Sequence, residues 1–334
     1  DHGGSLRIPA CYCGVVGYRA SPGVVPHEAR TTPQTFYSLQ GPMARSVADV
    51  ALLLSVIAQR TEGAERDPMV FPLDASILAQ LESVDLGRLR IAVTADLGGV
   101  LVSETVRRAF DRRINWLAGR VALLEKAPID LRAAPGVDWH LRQDLFVSQY
   151  HLDAPQWDAG FNPNVRATYE SALRTPMAEI AAARRTQMAL YQAFAALFDD
   201  FDLVICPGVS VPPFPWTQLN PQEIDGQPVD NYMAWLALTA SLTVVGHPVV
   251  ALPCGIDDHG TPFGIQVVGR MYGDQRLLAA AAALERAFAG DPLMARPAPD
   301  VTRLAGLVSE CRTRGREVAA GSGITRVTNR KQGN

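Results

Sequence analysis

The chain opens with Asp1-His2-Gly3-Gly4-Ser5-Leu6-Arg7-Ile8-Pro9-Ala10-Cys11-Tyr12-Cys13-Gly14-Val15-Val16-Gly17-Tyr18-Arg19. Residues 6–13 are predicted to form a short helix. Pro9 falls in its first turn, where a missing N–H is harmless, and Gly14 is a natural helix end. Residues 14–19 are β-branched and bounded by glycine, which is typical of a strand. The stretch therefore predicts a tight glycine loop, a helix and a strand in immediate succession.

The tripeptide Gly3-Gly4-Ser5 is the best candidate for chemistry in the chain. Two glycines let the backbone bend so that successive N–H groups point into one cavity. A serine at the mouth of that cavity, near a helix N-terminus, would attack beside an oxyanion hole. From these three residues alone, a plain glycine turn with a capping serine remains an open alternative.

Helix and strand signals alternate along the rest of the chain. Ser46 can cap a helix that ends near Ile57, and Ser103 can cap another that ends near Leu117. The other predicted elements are a strand at Leu89–Val93, a helix from Thr175–Pro176 to Phe198, a strand at Asp202–Cys206, a helix at Tyr232–Leu242, strands at Val249–Leu252 and Phe263–Val268, and a helix at Gln275–Phe288 capped by Asp274. Such alternation predicts an α/β architecture.

Three segments lack a regular pattern. Residues 128–170 are predicted to be irregular, as an insertion or a substrate-facing segment, and residues 207–229 form a proline-rich loop. Beyond Pro297 the apolar period fails, and residues 305–334 are predicted to be a disordered tail.

Composition excludes several classes of protein. The 334 residues are 48% hydrophobic and 19% charged, which argues against a disordered chain. A net charge of −3 gives no general attraction to nucleic acid or anionic lipid, and no apolar run of about 18 residues predicts a membrane span. Five scattered cysteines fit neither a disulfide framework nor a structural zinc site, so we expect reduced thiols in a cytoplasmic protein. As a separate expectation, the protein uses no metal and no organic cofactor.

The opening stretch closely resembles the signature of the amidase signature family, G-x-D-x-G-G-S-(I/L)-R-x-P-A-x-x-x-G-x-x-G-x-(K/R). Further segments resemble the family in the same order. They are Gln40–Asp49, Asp202–Pro207, Gly246–Gly255 and Gly260–Gly269. The resemblance covers residues 1 to about 297. It implies an α/β fold with a mixed, twisted sheet covered by helices on both faces.

The resemblance implies amide hydrolysis through an acyl-serine intermediate, with Ser5 as the nucleophile. The oxyanion would be held by the backbone N–H groups of His2, Gly3, Gly4 and Ser5. Asp1 and Arg7 would support the loop, and Gln266 could either support it or satisfy buried backbone. Aromatic residues of the 128–235 region are expected to shape the acyl pocket. They are Trp139, Trp157, Phe161, Phe214, Trp216, Tyr232 and Trp235.

The family's proton relay is not found in this sequence. It uses a lysine and a second serine in a G-G-S-S-G-G loop, both upstream of the signature. The loop occurs nowhere here, and the only lysines, Lys126 and Lys331, lie downstream of Ser5. The expectation is therefore an amidase signature domain over 1–304 whose N-terminal part is missing, either a C-terminal portion of a longer enzyme or a degenerate gene product. This chain alone would be catalytically incomplete.

The expected partner is a small-molecule amide, without nucleic acid or membrane, and a homodimer is left open. Three other functions also stay open. The first is the A-type subunit of a glutamyl-tRNA amidotransferase, which shares the signature and passes ammonia to a partner. The second is a non-catalytic remnant. The third is a Ser-His-Asp hydrolase that uses one of the six histidines, although a GxSxG elbow is missing.

Overall fold

The structure of this chain is a computed structural model that describes residues 1–28, 30, 32, 35–158, 161–229 and 231–303. Residues 1–296 form one compact unit. Its α-helices are α1 (Arg7–Cys13), α2 (Val47–Ile57), α3 (Glu104–Leu117), α4 (Ala134–Tyr150), α5 (Pro163–Ala172), α6 (Met177–Ala196), α7 (Ala237–Val245) and α8 (Asp274–Ala289). Its strands are β1 (Val16–Arg19), β2 (Met43–Ala44), β3 (Arg90–Val93), β4 (Leu123–Lys126), β5 (Leu203–Pro207), β6 (Glu223–Ile224), β7 (Gln227–Pro228), β8 (Val249–Ile256) and β9 (Pro262–Val268).

Seven of these strands form one mixed sheet in the order β2-β1-β8-β9-β5-β3-β4. β3 pairs parallel with both β4 and β5, whereas the pairs from β5 through β9, β8 and β1 to β2 are antiparallel. The central strands are buried along their length, as expected for a sheet covered on both faces.

Alternate residues of the central strands meet different helices. An ideal Cβ on Gly17 would lie 2.7 Å from the Ala10 Cβ of α1, whereas the neighbouring Tyr18 hydroxyl donates to Asp274 of α8. Because successive side chains of a strand point to opposite faces, α1 and α8 cover the two faces of the sheet. The predicted α/β fold is confirmed.

Local helix signals acted as the sequence predicted. The Ser46 side chain accepts a hydrogen bond from the Asp49 N–H at the start of α2, and Ser103 caps α3 in the same way. The C-terminal end of α1 falls at Gly14, which has φ of 64°. These signals need only neighbouring residues, so they can be found without a fold.

Two predictions of local structure were wrong. The 128–170 segment is largely helical, because α4 and α5 lie within it. Asp274 does not cap α8, since its carboxylate accepts bonds from the Tyr18 hydroxyl at 2.7 Å and the Ser21 N–H at 2.9 Å. The strand predicted at Val249–Leu252 is present but longer than expected, because β8 continues to Ile256. The tail predicted over 305–334 lies outside the described residues.

The buried carboxyl of Asp274 gives stability a pH dependence of known sign. Burial raises its pKa above the usual 3.8, so the folded protein holds this proton more tightly than the unfolded chain. The contribution of Asp274 to the free energy of unfolding is therefore fully present below the usual pKa of 3.8 and is lost as pH rises through the folded pKa. We expect Asp274→Asn to gain stability relative to the original chain between pH 4 and pH 7, measured by urea unfolding.

Asp291 provides a control of opposite sign. A hydrogen bond from the Trp116 indole, 2.7 Å long, lowers the pKa of the Asp291 carboxyl. The stabilising effect of the ionised carboxylate is present above the unfolded pKa and is lost on acidification. The free energy of unfolding of Asp291→Asn should therefore fall relative to that of the original chain as pH rises. Parallel pH profiles for the two variants would contradict the assignment.

Candidate active site

The turn that carries Ser5 is tied together by the carboxylate of Asp1. Its Oδ1 accepts from the Gly4 N–H at 3.0 Å, and its Oδ2 accepts from the Leu6 N–H at 3.2 Å. Arg7 reaches back from the first turn of α1 and donates to both oxygens, at 3.0 Å from Nε and 2.8 Å from Nη2. One carboxylate therefore fixes both the turn and the start of the helix.

Arg7 also joins this turn to the body of the protein. Its Nη1 donates to the Thr239 carbonyl at 2.8 Å and to Gln266 Oε1 at 3.0 Å, and its Nη2 donates to Thr243 Oγ1 at 2.8 Å. Gln266 in turn donates to the Pro207 carbonyl at 3.1 Å. Burial lowers the pKa of the Arg7 guanidinium to about 9, so it stays charged at neutral pH. Gln266 therefore does both things left open by the sequence, since it supports the loop through Arg7 and satisfies a buried backbone carbonyl.

Gly4 fits a space that no side chain could share. Its φ is +125°, and an ideal Cβ there would lie 2.4 Å from Thr239 Oγ1 and 2.8 Å from Ile8 Cδ1. The Thr239 hydroxyl donates to the Gly3 carbonyl at 2.6 Å. The backbone of the turn thus packs directly against the Thr239 side chain of α7, and this contact sets its path.

The exposed Ser5 follows this turn and lies at a cavity of about 360 Å³. The remaining walls are His2, Gly3, Gly4, Ile8, Pro9, Arg142, Tyr232, Met233, Trp235 and Leu236. Within the described residues, neither the Ser5 hydroxyl nor the N–H groups of His2, Gly3 and Ser5 make a protein hydrogen bond. The Gly4 N–H differs, because it donates to Asp1. The residues that carry the hydroxyl and the unpartnered N–H groups therefore line one cavity.

His2 is held as a neutral ring. Its pKa lies well below the usual value because it is buried, and the nearby positive charge of Arg142 lowers it further. Nδ1 lies 3.1 Å from Ser38 Oγ, and the ring packs 4.6 Å from that of Tyr37. The imidazole is thus part of the packing that supports the loop.

Other candidate groups lie elsewhere. Lys126 is exposed on β4, an edge strand separated from β9 by β3 and β5. His247 is buried and stacks on Phe198 at 5.1 Å, and burial lowers its pKa to about 4. Lys331 lies outside the described residues.

The cysteines show no sign of activation. Cys206 and Cys254 are buried free thiols, and burial raises the pKa of each to about 12. The part of the chain that the structure describes contains no group of three or more His, Cys, Asp or Glu side chains that could hold a metal ion. None of its helices combines the length and apolar character needed to cross a bilayer.

The aromatic residues expected at the acyl pocket separate into two sets. Tyr232 and Trp235 line the cavity at Ser5, and Trp139 lines a second cavity next to it. Phe214 packs edge-on against Trp235 at 5.1 Å. Trp157 instead stacks on Phe161, and Trp216 is 82% exposed. About half of the set is therefore near the candidate nucleophile.

Sequence reasoning missed Arg142 and Asp138, which lie one turn apart on α4 near this site. The i, i+4 spacing of opposite charges was the available signal, but the segment was expected to be irregular. It also missed the contact of Thr239 with Gly3, since no local pattern joins residues so distant in the chain.

Comparison with known proteins gives a consistent result. A family model described as Amidase matches residues 1–278. The A-type subunit of the glutamyl-tRNA(Gln) amidotransferase from Lysinibacillus sphaericus is 27% identical over 315 residues, covering 86% of this chain and 62% of that protein. The corresponding protein from Synechococcus sp. JA-2-3B'a(2-13) is 29% identical over 316 residues, covering 86% and 59%. The chain thus spans about three fifths of the length of these curated relatives.

Solved structures share the fold. A bacterial aryl acylamidase superposes with a TM-score of 0.75 at 23% identity, covering 87% of this chain and 61% of that one. The 6-aminohexanoate cyclic dimer hydrolase superposes with a TM-score of 0.70 at 23% identity, covering 86% and 63%. At these identities the likeness shows a common architecture.

The Asp1–Arg7 pair should be far more costly to break than an exposed pair. Arg7→Met would remove the hydrogen-bonded counter-charge of a buried carboxylate and leave only the longer contact with Arg19 at 3.9 Å, and breaking such a pair costs about 3–5 kcal/mol. Arg132 is a matched control, because it pairs with Asp130 on the surface. Arg132→Met should change the free energy of unfolding far less, because an exposed ion pair contributes little. Urea unfolding of both variants measures this, and similar costs would contradict a structural role for Arg7.

Proposed function

Because this chain belongs to the amidase family, we propose that it supplies the nucleophile and oxyanion hole for hydrolysis of a carboxylic amide C–N bond. Ser5 Oγ would bond to the carbonyl carbon, the C–N bond would break, and the amine would leave with a proton. Water would then cleave the acyl-serine ester to release the acid. The observation that supports this proposal is an exposed Ser5 on a turn that lines a cavity and keeps several N–H groups without a protein partner among the described residues.

The oxyanion donors we assign are the backbone N–H groups of His2, Gly3 and Ser5. Removing one such donor typically costs about 10²–10³ in rate. The Gly4 N–H was also expected to serve, but in this structure it donates to Asp1 and so holds the turn in shape. Its contribution is therefore to fix the direction of its neighbours' donors.

The proton acceptor is the part of the reaction that the surroundings of Ser5 support least. The Ser5 hydroxyl has no hydrogen-bond partner among the described residues, and Lys126 lies on a distant edge strand. A serine hydroxyl is a weak nucleophile until a neighbouring group takes its proton. Substrates that need little proton transfer should therefore reveal the chemistry of Ser5 most directly.

A second candidate is the role of the A-type protein in a glutamyl-tRNA amidotransferase. It is favoured by the relatives of that name, at 27% and 29% identity. Here the amide would be that of glutamine, and the released ammonia would pass to a partner. Ammonia release from glutamine, compared with release from a simple amide such as butyramide, would distinguish the two functions.

The decisive test uses an activated ester. A p-nitrophenyl ester releases p-nitrophenolate, which needs no proton, while the proton of the Ser5 hydroxyl passes to water or buffer, so we expect a burst of p-nitrophenolate and an acyl adduct on Ser5, mapped by mass spectrometry. Simple amides should react far more slowly, because their leaving nitrogen must be protonated.

Two serine variants control this experiment. Ser5→Ala should abolish the burst, whereas Ser148→Ala, which alters an exposed serine on α4, should leave it unchanged. An adduct on another residue, or an equal burst in Ser5→Ala, would overturn the assignment.

A further inference from the structure

Two cavities adjoin at the candidate site. The first is the cavity of about 360 Å³ at Ser5, and the second, of about 380 Å³, lies between α4, α5 and the segment before α7. They share Arg142, Tyr232 and Met233 as wall residues. Among the wall residues of both cavities, Arg142 is the one Lys, Arg, Asp or Glu side chain.

Arg142 is buried but incompletely bonded. Its residue exposure is 8%, and Nη2 alone approaches Asp138, at 3.4 Å from Oδ1 and 3.3 Å from Oδ2. Nε is buried and has no partner within the described chain. An arginine offers five N–H donors in a fixed fork, and Asp138 engages only Nη2, so the guanidinium of this cavity-wall residue is incompletely satisfied.

The guanidinium lies directly beside the nucleophile turn. An ideal Cβ on Gly3 would be 3.1 Å from Arg142 Nη2. Its charge also reaches His2, whose pKa it lowers after the larger effect of burial. A group bound at Arg142 would therefore be close to the carbonyl that Ser5 attacks.

Asp138 does not occupy the position that such a group would take. It is buried and lines neither cavity, so it contacts the guanidinium from the protein side. Burial raises the pKa of the Asp138 carboxyl, and the Tyr37 phenol lies near it. The cavity side of Arg142 is thus left without an anion.

A second donor at the same cavity is also unpartnered. The indole Nε1 of Trp235 is buried and makes no hydrogen bond within the described residues. Unsatisfied buried donors are rare and costly, and here two of them belong to residues that line one cavity, Arg142 and Trp235. The nearby apolar wall residues Ile8 and Leu236 offer no side-chain acceptor.

We propose that Arg142 is a substrate-recognition residue that binds a carboxylate carried by the amide, a few bonds from its scissile carbonyl. Guanidinium and carboxylate match in geometry and form charge-assisted hydrogen bonds. That the bound molecule is a substrate rests on the proposed function, whereas binding of its carboxylate to Arg142 does not require turnover. The substrate class is then the monoamides of dicarboxylic acids and related amide acids.

The test is equilibrium binding of two ligands with one skeleton. Succinamate carries a carboxylate where its diamide, succinamide, carries a neutral amide. Trp139 and Trp235 line the two cavities, so tryptophan fluorescence can report binding to the full chain. We expect succinamate to bind about 10–100-fold more tightly, as hydrogen bonds to charged groups imply. Equal affinity for the two ligands, or no binding of succinamate, would overturn the proposal.

Variants locate the preference. Arg142→Met should abolish it, whereas Arg184→Met should retain it, because Arg184 also bonds an aspartate of α4, Asp144, but lines neither cavity. Asp138→Asn keeps Arg142 and removes its counter-charge, so the preference should persist or grow. Asp138→Asn combined with Arg142→Met avoids an unpaired buried carboxylate and should again show none. A preference that survives in this double variant would contradict the proposal.

Binding and catalysis can fail separately. Ser5→Ala should still prefer succinamate, since the hydroxyl is not part of the Arg142 contact. If the preference is found but Ser5 is never acylated, the proposed function fails and the carboxylate site stands. If Ser5 is acylated but the preference is absent, the proposed function stands and the carboxylate site at Arg142 fails.

Discussion

The buried pair of Asp1 and Arg7 is the interaction on which this site depends. A guanidinium without water must give each of its donors an acceptor, because an unpaired buried charge is strongly destabilising. Arg7 meets this demand with acceptors from the turn, from α7 and from Gln266 of β9. The same bonds that satisfy the charge therefore fix the turn relative to the sheet, and the position of Ser5 follows from them.

Close packing beneath α1 completes this placement. An ideal Cβ on Gly264 of β9 would lie 2.7 Å from Cys11 Sγ, so the helix approaches the strand at a distance that only small residues permit. Such contacts leave little freedom for α1 to slide, since protein interiors are close-packed. The turn is thus held at its start by Asp1 and at its end by α1, which is the kind of fixed geometry that preorganised donors require.

Most of the fold could be predicted because its signals are local or apolar. The serine caps of α2 and α3 and the apolar strands β5, β8 and β9 can be recognised from neighbouring residues. α4 could not, because its buried positions include Asp138, Arg142 and Gln143, which break the expected apolar stripe. Asp274 was misjudged for a related reason, since its partners Tyr18 and Ser21 lie at the other end of the chain.

The failure at α4 has a physical meaning. Polar and charged side chains on a buried helix face cost free energy unless other groups satisfy them, so a sequence that keeps them departs from the pattern that folding alone favours. Arg142 and Asp138 satisfy each other only in part. Arg142 also lines the cavity at Ser5. Asp138 and Arg142 therefore have two consequences. They interrupt the apolar pattern by which α4 could have been predicted, and they place charge near the candidate site.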